Sequence, residues 1–350
     1  MKFVDTVAEF LYFKEAIEEA RSKVIQSGVF LLGEETRNLE EEFKSEIVNG
    51  MHCTAVKNCT DALIIVLTYI LKEHPEAPII LPNFGAYPTA LAAANVSHNL
   101  HYVDVDESYT LNPECLPDLY NGVIVPVHLF GNNCDMTQIM EYAQSHNHIV
   151  LEDCAQSTGS GSGREGDFSV FSFYPTKPLA CMGDGGMICS KSIENDYHFQ
   201  KYRFYGQDFK TRNIEFVGIN SRIDEFQASI VRTKLKGFHT LNNRRRKIAH
   251  RYKKIVKGMS ERGHCVYHQF PIRFHDREII ANNLEKSHIP YVIHYSSHVC
   301  DYDFLNPHNY EVNNRVCDTI ISLPCHPFMA DNEVQRVENF LYEFREQELQ

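Results

Sequence analysis

The sequence predicts an α/β protein: a large domain at residues 1–237 built on a mixed, mostly parallel sheet, and a smaller α/β domain at 238–350. Three observations predict it. Short β-rich runs alternate with helical patterns through the first half of the chain, as βαβ units require. Two of those runs, Val123-Ile-Val-Pro-Val and Ile149-Val-Leu, are continuously apolar, the pattern of strands covered on both faces. After Asp153, strands follow one another across loops too short for a crossover helix, so the sheet is expected to be mixed on that side.

Helical character is expected from Val24 to Phe43, where acids and lysines interleave with apolar positions. Thr54-Ala-Val-Lys-Asn58 reads as a strand running into a helix that opens at Thr60-Asp61, with one of these two residues as its N-cap. Four further β-rich runs lie at 78–82, 100–105, 123–128 and 148–153. Ligands of such sheets bind beyond the carboxyl ends of the strands, and Asp153 stands at one such end. Asp167-Phe-Ser-Val-Phe-Ser-Phe-Tyr174 and Gly186-Met-Ile-Cys189 are the strands of the mixed side. Ser221-Arg-Ile-Asp224, a serine and an acid at capping-box spacing, opens a helix through Leu235, and a basic helical stretch runs from Asn242 to Lys257. Strands at 265–274, 289–293 and 319–323, set among helices, make the smaller domain.

A composition of 43% hydrophobic and 23% charged residues is that of a soluble globular chain. The longest apolar stretch, Ala62 to Leu71, is ten residues and too short to span a membrane. The start has no apolar segment of signal-peptide length, so a reducing, cytoplasmic location is expected, with the eleven cysteines as free thiols. A formal charge of -12 without a long basic tract argues against a nucleic-acid binder. The cluster Arg244-Arg-Arg-Lys247 suits either a solvated helix face or a small anion.

The chemistry centres on Lys177, in the run Ser172-Phe-Tyr-Pro-Thr-Lys-Pro-Leu-Ala-Cys-Met-Gly-Asp-Gly-Gly186, twenty-four residues after Asp153. Prolines stiffen the loop on either side of Lys177, and the glycines that follow make it permissive. An enclosed amine with a lowered pKa is a nucleophile that holds an aldehyde cofactor as a Schiff base. A carboxylate at the end of an apolar strand needs a partner, and the protonated ring nitrogen of pyridoxal phosphate suits Asp153. In isolation, an exposed lysine and a helix-capping aspartate would be the commoner readings of these two residues. Gln156 fits a hydrogen bond to the ring oxygen or to backbone equally well. Phe84 is either core or a stacking platform for a flat ring. Cys59 and Thr60 at a helix start, and Ser172 beside the lysine loop, are candidates for the phosphate.

Together these residues resemble the DegT/DnrJ/StrS family of pyridoxal phosphate-dependent nucleotide-sugar aminotransferases. Asn58-Cys-Thr-Asp-Ala-Leu63, Val103-Asp-Val-Asp106, His128-Leu-Phe-Gly131, Glu152-Asp-Cys-Ala-Gln156, the Lys177 run, Gly218-Ile-Asn-Ser-Arg-Ile-Asp-Glu-Phe-Gln-Ala228 and Ser322-Leu-Pro-Cys-His-Pro327 carry the resemblance, in the family's order. It implies the aspartate-aminotransferase-like fold of type I, a homodimer with shared active sites, and Asn220 reaching the cofactor phosphate of the partner subunit. It places Tyr174, Lys210, His294 and Tyr295 against the sugar nucleotide. The chain departs from the family at Cys59, usually glycine, and at Gly85-Ala-Tyr87.

The resemblance further implies L-glutamate as amino donor and a nucleotide-linked keto-deoxy sugar as acceptor. The acceptor expected is dTDP-4-keto-6-deoxyglucose aminated at C4, with C3 amination of an isomeric keto sugar as the alternative. Dehydratase relatives carry histidine in place of the lysine, so Lys177 points to transfer. A cofactor-binding regulator without turnover is the alternative from another class. His294 and His298 have the spacing of a metal pair, but no third ligand accompanies them and no metal is expected.

Overall fold

The stretch expected to be helical from Val24 to Phe43 is divided at Gly28, which caps α1 (Thr6–Ser27) in the left-handed region at φ 67°. The next helix, α2 (Glu34–Glu46), starts at Gly33 with no cap from its own side chains. Glu225 supplies one from 190 residues away, its carboxylate accepting from the backbone N–H groups of Gly33, Glu35 and Thr36. The computed structural model of the chain describes residues 1–301 and 316–349.

A seven-stranded sheet follows, formed by β1 (His52–Val56), β2 (Ile79–Pro82), β3 (Leu100–Val103), β4 (Val123–Ile124), β5 (Ile149–Asp153), β6 (Phe168–Ser172) and β7 (Gly186–Ser190). The strand order is β1-β7-β6-β5-β4-β2-β3, and β7 alone runs against its neighbours, so the sheet is mixed on the expected side. The run expected at 123–128 yields only two strand residues. Pro126 has no N–H to continue the ladder, and pairing resumes as a single parallel bridge between Val127 and Asp153.

Helices α3 (Cys59–Leu71), α4 (Pro88–Ala94), α5 (Met136–His146) and α6 (Ile193–Tyr202) complete the layers. Helix α3 starts earlier than expected. Asn58, not Thr60 or Asp61, is its N-cap, accepting from the Asp61 backbone N–H at 2.7 Å.

The two helical stretches expected at 221–235 and 242–257 are one 28-residue helix, α7 (Glu225–Tyr252), so the boundary expected after residue 237 falls in mid-helix. Asp224 is its N-cap, and Ser221 is no cap: its hydroxyl donates to Asp61 at 2.7 Å. Beyond α7 come β8 (Phe270–Arg273), α8 (Arg277–Lys286), α9 (Val316–Thr319), β9 (Ile320–Leu323) and α10 (Asp331–Phe344), with β8 and β9 antiparallel. The strand expected at 289–293 is a lone bridge, Val292 to Ser322.

Apolar residues of this second unit pack in one cluster with Phe84, Val127, Leu129 and Phe130 from the carboxyl edge of the large sheet, and Met1 packs against the same cluster. That shared core positions the end of β5 under the second unit. No helix among the described residues is long and apolar enough to cross a membrane. The eleven cysteines are all free.

Candidate active site

Beyond the carboxyl ends of β5 and β6 lies a cavity of about 580 Å³, within the range of roughly 300–1,000 Å³ typical of small-molecule sites. Its wall brings together Cys59, Thr60, Asp153, Gln156, Ser172, Tyr174 and Lys177 from three separate segments. Thr89, Tyr87, Asp184 and Gly185 also line it.

Asp153 ends β5 and is 3% exposed. One carboxylate oxygen accepts from the Thr89 hydroxyl at 2.7 Å and the other from the Ala155 N–H at 3.0 Å. Buried carboxylates require such partners, and these two hold the group at one orientation. Thr89, at the start of α4, was not foreseen: nothing in the local sequence signals a contact between residues 64 positions apart.

Lys177 follows a turn closed by its own N–H to the Tyr174 carbonyl at 2.8 Å. Its amine makes no hydrogen bond or ion pair among the described residues. Burial lowers its pKa, while Asp153 and Cys59 act in the opposite direction. Burial also pushes the Cys59 thiol far above its usual pKa, so the group is a neutral thiol in the cavity wall.

The start of α3 is an open anion site. Asn58 occupies the Asp61 and Ala62 N–H groups, which leaves those of Cys59 and Thr60 without intrahelical partners beside the cavity. Gly186 makes this approach possible. A β-carbon there would lie 2.6 Å from the Asn58 carbonyl carbon and 2.8 Å from the Cys59 nitrogen. The glycines after Lys177 therefore serve close packing, since none of Gly183, Gly185 and Gly186 has a positive φ.

Other expected residues sit differently. Phe84 is 2% exposed and faces the core, edge-on to Tyr295 at 5.9 Å, and does not line the cavity. The stacking role expected of it is not supported by this placement, because packing against Tyr109 and Phe130 turns the ring inward. Gln156 lines the cavity, but its carbonyl accepts from the Phe130 N–H at 2.8 Å and its amide donates to the Tyr295 hydroxyl at 3.1 Å. His294 lies outside the wall. Gln269 donates to its Nε2 at 3.0 Å, which leaves Nδ1 to donate to Ser322 at 3.0 Å. Burial, and then the charge of Lys177, lowers its pKa to about 4, so the ring is neutral. Lys210 and Asn220 are exposed and also lie outside this cavity. Arg222 Nε donates to the Asn220 carbonyl at 2.9 Å.

The arginine cluster is neither a solvated face nor an anion site at every position. Arg244 binds the carbonyls of Pro327 and Met329, and Arg246 those of Cys265 and Gly159, so both tie α7 to loops. Behind β5, His128, Glu152 and Cys154 approach one another closely enough for a metal. The lone pairs are occupied, however: His128 Nε2 donates to Glu152 at 2.9 Å and Nδ1 accepts from the Cys134 N–H. Glu152 also takes the N–H groups of Gly163, Glu165 and Gly166, fixing the loop between β5 and β6.

The residues present fit pyridoxal phosphate: a half-buried amine without a partner among the described residues, an anchored carboxylate and an open helix N-terminus share one cavity of suitable size. The profile of the DegT/DnrJ/EryC1/StrS aminotransferase family matches residues 12–341. The chain is 30% identical, over 95% of each chain, to the UDP-N-acetyl-3-dehydro-alpha-D-glucosamine 3-aminotransferase of Acidithiobacillus ferrooxidans. It is 31% identical to the dTDP-3-amino-3,6-dideoxy-alpha-D-galactopyranose transaminase of Aneurinibacillus thermoaerophilus, over 96% of this chain and 97% of that one. Among solved structures, S. venezuelae DesV superposes with a TM-score of 0.91 at 27% identity, covering 99% of this chain and 98% of that one. The fold expected from the resemblance is thus the one observed, and the chain belongs to the DegT/DnrJ/EryC1/StrS aminotransferase family.

Proposed function

We propose that this enzyme moves an amino group from L-glutamate to the keto carbon of a nucleotide-linked deoxy sugar. The observation that carries the reading is Lys177, a half-buried amine without a partner among the described residues, facing the cavity that also contains Asp153 and the open end of α3. When bound, pyridoxal phosphate supplies an electrophilic carbon for the nitrogen and a ring that takes up the electron pair released at the donor's α-carbon. Cys59 and Thr60 N–H groups, with the hydroxyls of Thr60 and Ser172, would hold its phosphate. Asp153, fixed by Thr89 and Ala155, would balance its protonated ring nitrogen. Lys177 moves the proton: its lowered pKa makes it a competent base toward the donor's α-carbon, and the ammonium so formed returns a proton in the second half of the cycle.

Both curated relatives are named for nitrogen at C3, which supports C3 of the acceptor over the C4 position suggested by resemblance alone. Offering C3- and C4-keto nucleotide sugars with glutamate, and locating the new amine by NMR, tests this. Amination solely at C4 would overturn the C3 assignment. Lys177→Ala should abolish transamination, and a variant that still cycled amino groups would overturn the mechanism.

A homodimer with shared sites belongs to the same proposal. Asn220 and Lys210 are exposed and away from the cavity of their own chain. A groove lined by Thr6, Val7, Phe10 and Met182 adjoins the Lys177 loop, with Val7 55% and Met182 49% exposed. Mixing inactive Lys177→Ala and Asn220→Ala chains should restore activity, whereas an active monomer at all concentrations refutes sharing.

A further inference from the structure

Strands β1 and β7 are antiparallel neighbours, and their register sets Cys53 directly opposite Cys189. Residues so placed have Cα atoms about 4.5 or about 5.5 Å apart, according to the hydrogen-bonding class of the pair. Either separation lies inside the roughly 4.4–6.8 Å that a disulfide spans. The two side chains also meet. Their sulfurs are 3.6 Å apart, beneath α2 in the apolar cluster that includes Leu39, Phe43 and Met187. The Cys53 S–H donates to the Met51 carbonyl at 3.4 Å, so the Cys189 S–H is the one that donates across the pair, to the Cys53 sulfur. All eleven cysteines are free, and among the described residues this is the one pair of cysteine sulfurs in such contact. A disulfide bond is about 2.0 Å long, so closing the gap takes about 1.6 Å of travel. Small side-chain rotations at the two cysteines supply it, and neither strand has to move.

We propose that Cys53 and Cys189 are a site of oxidation by hydrogen peroxide, and that the disulfide they form locks β1 to β7. Peroxide is small enough to enter where Cys53 keeps 5% exposure and Cys189 none, so Cys53 reacts first. Its sulfur attacks one peroxide oxygen, the O–O bond breaks, and the other oxygen leaves as water, which leaves Cys53 as a sulfenic acid. The Cys189 sulfur then attacks the Cys53 sulfur, the S–O bond breaks, and that oxygen leaves as water with the Cys189 proton. Two thiols and one peroxide become one disulfide and two waters, with two electrons passing from sulfur to oxygen. The position of the pair gives the lock its use. Three pairs further along the same strands, Val56 faces Gly186, and Gly186 packs on the Asn58–Cys59 backbone that opens the anion site. The cross-link joins residues 136 positions apart, a separation at which restricting the unfolded chain has a large effect. The disulfide therefore stabilises the frame of the anion site without rearranging its atoms.

The test uses the cofactor-loaded full chain carrying Cys115→Ser, which removes the one cysteine that is fully exposed. After hydrogen peroxide treatment and alkylation of the remaining thiols, peptide mass spectrometry reads which cysteines are joined. The expected product is a Cys53–Cys189 link that dithiothreitol reverses and that is absent in Cys53→Ala and in Cys189→Ala. Either variant suffices if the other does not fold. In urea at fixed cofactor concentration, the oxidised chain should have a folded-to-unfolded ratio about thirty- to a thousandfold above that of the reduced chain. Its affinity for pyridoxal phosphate, by equilibrium titration, should stay within about twofold. A pair that remains reduced, or a link formed between other cysteines instead, overturns the proposal. A Cys53–Cys189 link that leaves stability unchanged or lowers it overturns the lock. So does a link that weakens cofactor binding tenfold or more, because the strands would then be distorted rather than held. None of these outcomes depends on which donor or acceptor the enzyme uses.

Discussion

Replacing Gly186 by alanine isolates the contact on which the anion site depends. The new methyl would start 2.6 Å from the Asn58 carbonyl carbon and 2.8 Å from both the Asn58 oxygen and the Cys59 nitrogen, where contacts under 3.0 Å are essentially never found. Relief to between 3.0 and 3.4 Å requires a shift of about 0.4–0.8 Å, and all three atoms are backbone at the start of α3. Gly186 cannot retreat easily, because it is paired in register with both Val56 and Ser172. Overpacking of this kind costs about 1–3 kcal/mol. Displacing the Asn58 cap adds about 1 kcal/mol. The shift also misaims the Cys59 and Thr60 N–H groups. Weakening hydrogen bonds to a charged phosphate by about 1.5–3 kcal/mol in total should cost roughly ten- to a hundredfold in cofactor affinity. Urea denaturation of the cofactor-free chain measures the first effect, and equilibrium titration with pyridoxal phosphate measures the second. An alanine variant with wild-type stability and wild-type cofactor affinity would refute the reasoning, because the close approach would then carry no consequence.

Glu225→Gln should destabilise the chain by about 2–3 kcal/mol, since the charged cap of α2 becomes a neutral one in a buried place; a loss below 0.5 kcal/mol in urea would contradict that role. The lowered pKa of His294, about 4 in the folded chain against an ordinary value near 6.5, means that the unfolded chain binds the extra proton. Its contribution is therefore complete above about pH 6.5 and is lost as pH falls toward 4, and His294→Gln should flatten the stability profile in that window. Thr89→Val keeps the shape but removes the donor to Asp153, so it should lower kcat while leaving the melting curve of the loaded enzyme nearly unchanged; equal kcat would show that Asp153 needs no such orientation.

Local chemistry made much of the fold legible. The apolar run Ile149-Val-Leu suits a strand of a covered sheet, and the helix-free loops after residue 153 made a mixed side legible, though not which strand reverses: β6 runs parallel to β5 and β7 antiparallel to β6. The break between α1 and α2 was missed because Gly28 in a helical pattern reads as tolerated until its φ is known. The join of 221–235 and 242–257 into α7 was missed because its middle turn carries no strong apolar periodicity, and packing against α1 and α2 sustains it.

Lys177 and Asp153 were legible as candidates from sequence alone, and the structure brings both to one cavity wall, because residue type and a strand end are local features. Phe84 was not, because whether an aromatic faces ligand or core is settled by its neighbours, here Tyr109, Phe130 and Tyr295. Only the tertiary structure could supply Thr89 as the partner of Asp153 and Glu225 as the cap of α2. Each is a relation between residues distant in the chain. A single sequence records which groups are present, while burial and the pairing of charges exist only once the chain has closed on itself.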